Sequence, residues 1–234
     1  AGECTPGNLD LTKSSMQVVC KLGESGKLKL NKAITDGKDA IPARLTIIGI
    51  DPSPNDKGGA GVFYDTDLLK LPQFVVGLKH ITSKGTFDLT GKNSFYLEPG
   101  IYRLVFSHGV EYGIDERVVE IVAGEEFVLN DVVVPRVIES AGFISADFHV
   151  HSIYSPDSAV SARKRVLGAV AEGLDILQSS DHDYRANFHP AMEQMAQEGL
   201  ISSNSIKTSV GCEITPNHFG HIHAFPLEHD KDDP

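Results

Sequence analysis

The pattern of "GFISADFHVHSIYSPDSAVSARKRVLGAVAEGLDILQSSDHD" (residues 142–183) predicts how the second half of this chain folds. An apolar run at 142–150 predicts a strand, and "LDILQSS" at 174–180 predicts another. The residues between them, 155–174, carry an apolar stripe at helical spacing, and Gly173 is placed to end that helix. A strand, a helix and a strand in this order are the unit of a parallel sheet with crossover helices.

The same alternation continues downstream. "HPAMEQMAQEGL" (189–200) predicts a second helix, "IKTSVGCEI" (206–214) a third strand and "HIHAFPL" (221–227) a fourth. Residues 138–234 are therefore predicted to form an α/β domain, either a parallel sheet with crossover helices or the first part of a (βα) barrel.

Residues 1–137 have a different texture, with short strands separated by turn residues and no convincing amphipathic helix. This spacing predicts a separate antiparallel β-sandwich without metal ligands. "LEPGIYRLVF" (97–106) resembles the strand pattern of carboxypeptidase-regulatory-like and transthyretin-like modules, within the broader Ig-like class. The strands are expected at 43–50, 73–80, 85–89, 93–97, 98–109 and on both sides of Gly124 within 116–134.

The bulk properties exclude several classes of function. At 234 residues the chain is long enough for one large domain or two ordinary ones. The formal net charge of −11 argues against nucleic acid as a partner, because phosphate binding needs a basic surface. No apolar run approaches the roughly 18 residues that suggest a membrane span.

Histidines and acids follow the predicted strands of the second half. The first strand ends in a His-x-His pair, an Asp-His pair follows the second, a glutamate ends the third, and another His-x-His pair opens the fourth. The carboxyl ends of strands meet at one side of barrels and open α/β sheets, so the first three sets should converge. The residues of all four sets are His149, His151, Asp181, His182, Glu213, His221 and His223.

Each pattern alone has a plain structural alternative. A single His-x-His pair is weak support for a metal and also occurs in surface loops. Asp181 and His182 could cap the following turn, and Glu213 could be a surface residue at a strand end. The convergence of separate clusters favours a metal site, and imidazole with carboxylate suits zinc, manganese or iron better than calcium or magnesium.

Four ordered motifs resemble those of the PHP (polymerase and histidinol phosphatase) metallohydrolases. They are "DFHVHSIYSPDS", "LDILQSSDHD", "GCEITP" and "GHIHAFPL", and the resemblance covers residues 138–227. The closest resemblance is to the CehA/McbA-type branch, in which a β-sandwich often precedes the PHP domain. The resemblance implies a distorted (βα)₇ barrel that holds two or three divalent transition metal ions.

The resemblance also implies roles for individual residues. The metal ligands would be His149, His151, Asp157, His182, Glu213 and His221, with Glu213 bridging two ions and Asp157 sharing an ion with His182. His223 is set apart, because related sequences often carry asparagine there. Asp181 is a candidate for the catalytic machinery and would orient an imidazole. Arg185 could contact an anionic substrate, with a salt-bridged loop arginine as the alternative.

The activity that the resemblance implies is hydrolysis of a small-molecule ester by a metal-activated water. Phosphate esters are the commonest substrates of PHP relatives, and the CehA/McbA branch adds carbamate or carboxylic esters as an alternative. A third possibility is a non-catalytic module whose β-sandwich recognises a carbohydrate or a protein.

The PHP pattern places further ligands downstream, and the sequence ends at Pro234 before them. We therefore expect the chain to be part of a longer protein whose C-terminal remainder completes the barrel, and the 234-residue piece alone to be inactive. Cys4 and Cys20, with the β-rich first half, favour export to the periplasm or the extracellular space, with the cytoplasm as the alternative. A disulfide between these two cysteines would close a short loop and is compatible only with export.

Overall fold

The computed structural model describes residues 3–5, 19–21, 23–51, 81–216 and 218–228. The predicted strand at 73–80 lies outside these residues. In the part described, neither helix is long and apolar enough to cross a membrane. The strands are β1 (Glu3–Thr5), β2 (Val19–Lys21), β3 (Gly26–Leu30), β4 (Ala43–Asp51), β5 (Ile81–Phe87), β6 (Ser94–Leu97), β7 (Gly100–Ser107), β8 (Ile114–Ile121), β9 (Glu126–Leu129), β10 (Ala146–Val150), β11 (Ile176–Ser179), β12 (Lys207–Ser209), β13 (Cys212–Ile214) and β14 (Ile222–Ala224), and the helices are α1 (Ala162–Ala171) and α2 (His189–Gln197).

Two sheets of the first half face one apolar core. A four-stranded sheet has the order β5-β4-β7-β8, and a three-stranded sheet has the order β6-β3-β9. In β7 the alternating residues Tyr102, Leu104 and Phe106 are buried, as expected for a strand with one face on a core. Side chains of both sheets, among them Leu28 and Leu129, join the same cluster. Strands therefore form where the alternation predicts them at 43–50, 85–89, 93–97 and 98–109.

The sheets are not antiparallel throughout. β3 pairs with β6 in the antiparallel sense but with β9 in the parallel sense, so the prediction of a purely antiparallel sandwich is wrong at this pair. Alternation reports which face of a strand is buried. It does not report which distant strand lies alongside or in which direction that strand runs.

The two N-terminal cysteines lie opposite each other in the backbone. β1 and β2 pair antiparallel, and Cys4 and Cys20 are Cα partners in that register. Directly opposed residues of antiparallel strands have Cα atoms about 4.5–5.5 Å apart, which is within the range that a disulfide spans. The disulfide itself stays a prediction.

The second half contains the predicted βαβ unit. β10, β11 and β12 form a parallel sheet in that order. Ser161 caps α1, because its hydroxyl accepts a hydrogen bond from the backbone N–H of Lys164 at 3.4 Å. The helices cover the sheet with a second apolar cluster that includes Val166, Leu177 and Phe188.

β10 is an edge strand of that sheet, with β11 as its neighbour. Phe148 of this strand stacks on Phe225 with ring centroids 5.5 Å apart, and both rings stay about half exposed. An apolar pair at a sheet edge is the kind of surface that another chain segment covers.

The single strand predicted at 206–214 is wrong, because the chain forms two strands there. β12 continues the parallel sheet, whereas β13 pairs antiparallel with β14 in a separate two-stranded sheet. The break occurs at Gly211, where a Cβ atom would lie 2.6 Å from the side-chain amide nitrogen of Gln178 and 2.6 Å from the carbonyl oxygen of Ser179. The backbone passes so close to β11 here that only glycine fits.

The two halves contact each other through the segments that follow α1 and α2. Arg44 of β4 forms an ion pair with Glu172, which follows α1. The Leu89 backbone N–H donates to the carbonyl oxygen of Leu200 at 2.9 Å. Gly109 lies directly against the backbone of Glu172, and a Cβ atom at this position would overlap the Glu172 carbonyl oxygen.

Gly109→Ala should lower the stability of the protein more than the backbone conformation alone explains. Gly109 has a φ of +74° and Gly142 a φ of +88°, but nothing lies within 4 Å of a Cβ atom at Gly142. Gly142→Ala therefore reports the cost of the left-handed backbone, about 1 kcal/mol. We expect Gly109→Ala to cost about 1–2 kcal/mol more, because it also forces the halves apart. Urea unfolding of both variants measures the difference, and equal losses would contradict the contact.

Candidate metal centre

Two imidazoles meet at the end of β10. His149 and His151 lie on the same face, with the buried Val150 between them on the other. Their rings stack at an interplanar angle of 14°, and the two Nε2 atoms are 2.9 Å apart. Two imidazole nitrogens aimed at one point are the arrangement that a shared cation requires.

Glu213 of β13 lies at the centre of the histidines. Its side chain is only 5% exposed, although four imidazoles surround it. The Oε2 atom is 3.1 Å from His149 Nε2 and 3.0 Å from His151 Nε2, and Oε1 is 2.6 Å from His221 Nδ1. His182 Nδ1 approaches Oε2 to 3.5 Å. One carboxylate therefore contacts histidines from three separate segments of the chain.

The charge of Glu213 is stabilised by these neighbours. Burial alone would raise the pKa of Glu213, but the hydrogen bonds with His221 and His149 outweigh burial and hold the pKa below its usual value. The buried residue is therefore a carboxylate at neutral pH, which is the form that binds a cation.

Asp157 and His182 form a second group beside the first. His151 Nδ1 is 3.1 Å from Asp157 Oδ1, and His182 Nε2 is 3.4 Å from Asp157 Oδ2. Ser155 donates its hydroxyl to Asp157 Oδ1 at 2.7 Å. This hydrogen bond, with a smaller contribution from His151, lowers the pKa of Asp157 to about 2. Asp157 is therefore an anion throughout the neutral range.

The structure brings together all six residues that the sequence suggests as metal ligands. They form three groups of three, and within each group the ligand atoms lie within 4.8 Å of one another. The groups overlap, because His151, His182 and Glu213 each belong to two of them. The groups are His149–His151–Glu213, His151–Asp157–His182 and His182–Glu213–His221.

The donor set fits a transition metal. Imidazole nitrogens combined with a carboxylate suit zinc, manganese or iron, and a calcium site would need more oxygen ligands. The centre is open on one side, since the side chains of His149, Asp157 and His221 are 55%, 53% and 50% exposed. A buried carboxylate with exposed partners leaves room for a substrate at that side.

His223 has a different partner. The side-chain amide of Gln178 donates to His223 Nε2 at 3.1 Å and to the Phe148 carbonyl oxygen at 3.2 Å. Burial and the neighbouring His149 lower the pKa of His223, so this ring accepts the amide hydrogen bond in its neutral form. His223 belongs to none of the three groups.

Asp181 and Arg185, the two residues suggested for catalysis, differ in burial and in hydrogen-bond partners. Asp181 is fully buried, and its carboxylate accepts hydrogen bonds from the backbone N–H and the hydroxyl of Ser152 at 2.5–3.0 Å. This geometry connects the ends of β10 and β11. Arg185 is half-buried and donates to the Glu228 carbonyl oxygen at 3.3 Å. The catalytic roles of both residues stay predictions.

Sequence reasoning did not single out the residues that support the ligands. Ser152 holds Asp181, Gln178 holds His223, and Thr215 contacts His182 Nδ1 at 2.6 Å. Each lies within three residues of a predicted strand end, where polar side chains reach a common site. That proximity was the available signal, but it does not reveal which hydroxyl or amide faces inward.

Residues 147–232 match the PHP domain family. PHP domains are in general hydrolytic metalloenzymes, so the match indicates a metal-dependent hydrolase of the phosphoesterase type. The matched range contains all three ligand groups. No curated protein matches the chain.

Proposed function

We propose that this protein hydrolyses phosphate esters with a water molecule activated by two or three divalent transition metal ions. The observation that carries the proposal is the buried Glu213 carboxylate, which lies against four imidazoles and belongs to two of the three ligand groups. The ions would be zinc, manganese or iron, held by the six residues of the three groups. When bound, such ions lower the pKa of a coordinated water and stabilise the charge on a phosphoryl group.

The side chains of the centre have separate tasks in this proposal. Glu213 would supply the buried negative charge that balances the cations, and the His149–His151 pair lies against one of its oxygens. Asp157 adds a second anion that does not titrate near neutral pH. The exposed side of His149 and His221 admits the ester. No serine or cysteine nucleophile is needed for this chemistry.

Arg185 is our candidate for binding the anionic oxygens of the substrate, because guanidinium groups match phosphate geometry.

We also propose that the protein belongs to the CehA/McbA-type branch, that its halves divide near residue 137, and that it is exported. The β-sheet content of the first half and the opposed cysteine pair support these proposals. The substrate panel described below separates phosphate esters from carbamate and carboxylic esters.

His182→Ala should remove metal and activity together. His182 is the imidazole that completes the group with His151 and Asp157, so its loss should lower zinc or manganese affinity by more than the about 10–100-fold that loss of an outer partner costs. We expect hydrolysis of bis(p-nitrophenyl) phosphate to fall with metal content measured by plasma mass spectrometry. The complete protein, rather than the 234-residue piece alone, should cleave this ester in preference to p-nitrophenyl acetate and a p-nitrophenyl carbamate.

His189→Ala is the matched control. His189 is half exposed at the start of α2, pairs with Glu193 and belongs to none of the three groups. Its replacement should leave metal content and turnover unchanged. Preference for the carbamate or the acetate would replace the phosphoester proposal with the alternative ester class, and a wild-type protein that binds no transition metal would refute both.

A further inference from the structure

We infer that Thr215 is a positioning residue that selects the imidazole tautomer of His182 able to bind a cation. The inference rests on the proposed metal centre. Thr215 is not one of the six candidate ligands. Its hydroxyl would determine which nitrogen of His182 is available to bind a cation.

The hydroxyl of Thr215 lies between two groups. Its Oγ1 atom is 2.6 Å from His182 Nδ1, and it donates a hydrogen bond to the carbonyl oxygen of Glu213 at 3.0 Å. A hydroxyl has one proton and two acceptor lone pairs. When that proton goes to the Glu213 carbonyl oxygen, the contact with His182 requires a proton on Nδ1.

A proton on Nδ1 leaves a lone pair on the other nitrogen of the neutral ring. That nitrogen, Nε2, is 3.4 Å from Asp157 Oδ2, so its lone pair faces the Asp157 group. In the opposite tautomer the Thr215 hydroxyl would donate to Nδ1, and Nε2 would carry a proton toward Asp157. A protonated nitrogen cannot be a metal ligand.

Thr215 thus discriminates between the two groups that contain His182. His182 Nδ1 also lies 3.5 Å from Glu213 Oε2, which would place it with Glu213 and His221. The much shorter contact with Thr215 engages Nδ1. Only Nε2 then remains for a cation, and the Asp157 group is the one it completes.

The backbone of Thr215 has its own structural role. Its N–H donates to Asp183 Oδ1 at 2.9 Å, and the Asp183 N–H donates to the Glu213 carbonyl oxygen at 2.9 Å. These bonds hold the loop after β11 against β13, beside the parallel bridge between His182 and Glu213. They do not use the hydroxyl, so the side chain can be changed without removing them.

The test compares Thr215→Val, which keeps the shape and removes the hydroxyl, with Thr215→Ser, which keeps the hydroxyl. Zn²⁺ affinity is measured for the full chain by competition with a chromophoric chelator. We expect Thr215→Val to weaken one class of Zn²⁺ site by about 10–100-fold, the range known for outer partners of metal-bound histidines. Thr215→Ser should bind Zn²⁺ nearly as the wild type does.

A second measurement needs no variant. Long-range ¹H–¹⁵N spectra of the Zn²⁺-loaded wild type should show His182 protonated at Nδ1, and therefore bound through Nε2. A signal for protonated Nε2 would overturn the inference even if Thr215→Val failed to fold. Equal Zn²⁺ affinity in the valine variant and the wild type, or a serine variant as weak as the valine variant, would also overturn it.

These outcomes are distinct from failure of the proposed function. A wild type that binds Zn²⁺ with His182 protonated at Nδ1, but cleaves no phosphate ester, would refute the phosphoesterase proposal and leave the role of Thr215 intact. If His182→Ala lost Zn²⁺ but Thr215→Val bound Zn²⁺ as tightly as the wild type, only the role of Thr215 would be refuted.

Discussion

Glu213→Gln should empty the metal centre and lower hydrolysis by about 10³-fold, because several kcal/mol of charge stabilisation are lost with the cations. Glutamine has nearly the same size as glutamate, so the packing around this buried side chain is kept. The change removes the negative charge that His149, His151 and His221 share. Metal content by plasma mass spectrometry and turnover of a phosphodiester should fall together.

The matched control is Glu193→Gln on α2. Glu193 is exposed, pairs with His189 at 3.2 Å and belongs to none of the three groups. It should keep both metal and turnover. If Glu213→Gln retained full metal content, the buried carboxylate would not be a ligand, and its place between the histidines would need a purely structural explanation.

Asp181→Ala should cost about 3 kcal/mol of folding stability, since two buried donors lose their acceptor. The backbone N–H and the hydroxyl of the fully buried Ser152 both donate to this carboxylate. Asp181→Asn keeps an acceptor oxygen in the same place and should cost less. Chemical unfolding of the metal-free proteins measures both losses. If Asp181 acts in catalysis instead, Asp181→Asn should abolish turnover at unchanged stability.

The difference in folding stability between the wild type and Asp181→Asn should depend on pH. Burial raises the pKa of Asp181, and the hydrogen bonds from Ser152 only partly offset it. The folded state therefore binds this proton more tightly than the unfolded chain. The stability that comes from the protonated form is present below a pH of about 4 and is lost as the pH rises through the folded-state pKa. The deficit of Asp181→Asn relative to the wild type should be larger at pH 4 than at pH 7.

Local signals in the sequence suffice for most of the elements. The apolar alternation of "ARLTIIGI" predicts β4, and the pattern of residues 142–183 predicts β10, α1 and β11 with their order. These signals work because the burial of one face and the capping of a helix depend on neighbouring residues. The candidate ligands are visible for the same reason, since each lies at or near the end of a recognisable strand.

The failures of prediction occur where distant segments meet. No local pattern in the sequence predicts that β9 runs parallel to β3, because the direction of a neighbouring strand depends on the path of the chain between them. The break at Gly211 follows from the close approach of β11, so "IKTSVGCEI" reads as one strand until that neighbour is present. Both errors come from contacts between residues far apart along the chain.

The residue types of the centre and their positions at strand ends can be predicted without a structure, because they follow from local periodicity. The contacts that each residue makes depend on the folded chain. In the folded chain Glu213 lies among four imidazoles. His223 is hydrogen-bonded to Gln178, Asp181 to Ser152, and His182 to Thr215. These assignments depend on distances of about 3 Å between separate segments, and such distances exist only after the strands have packed into register.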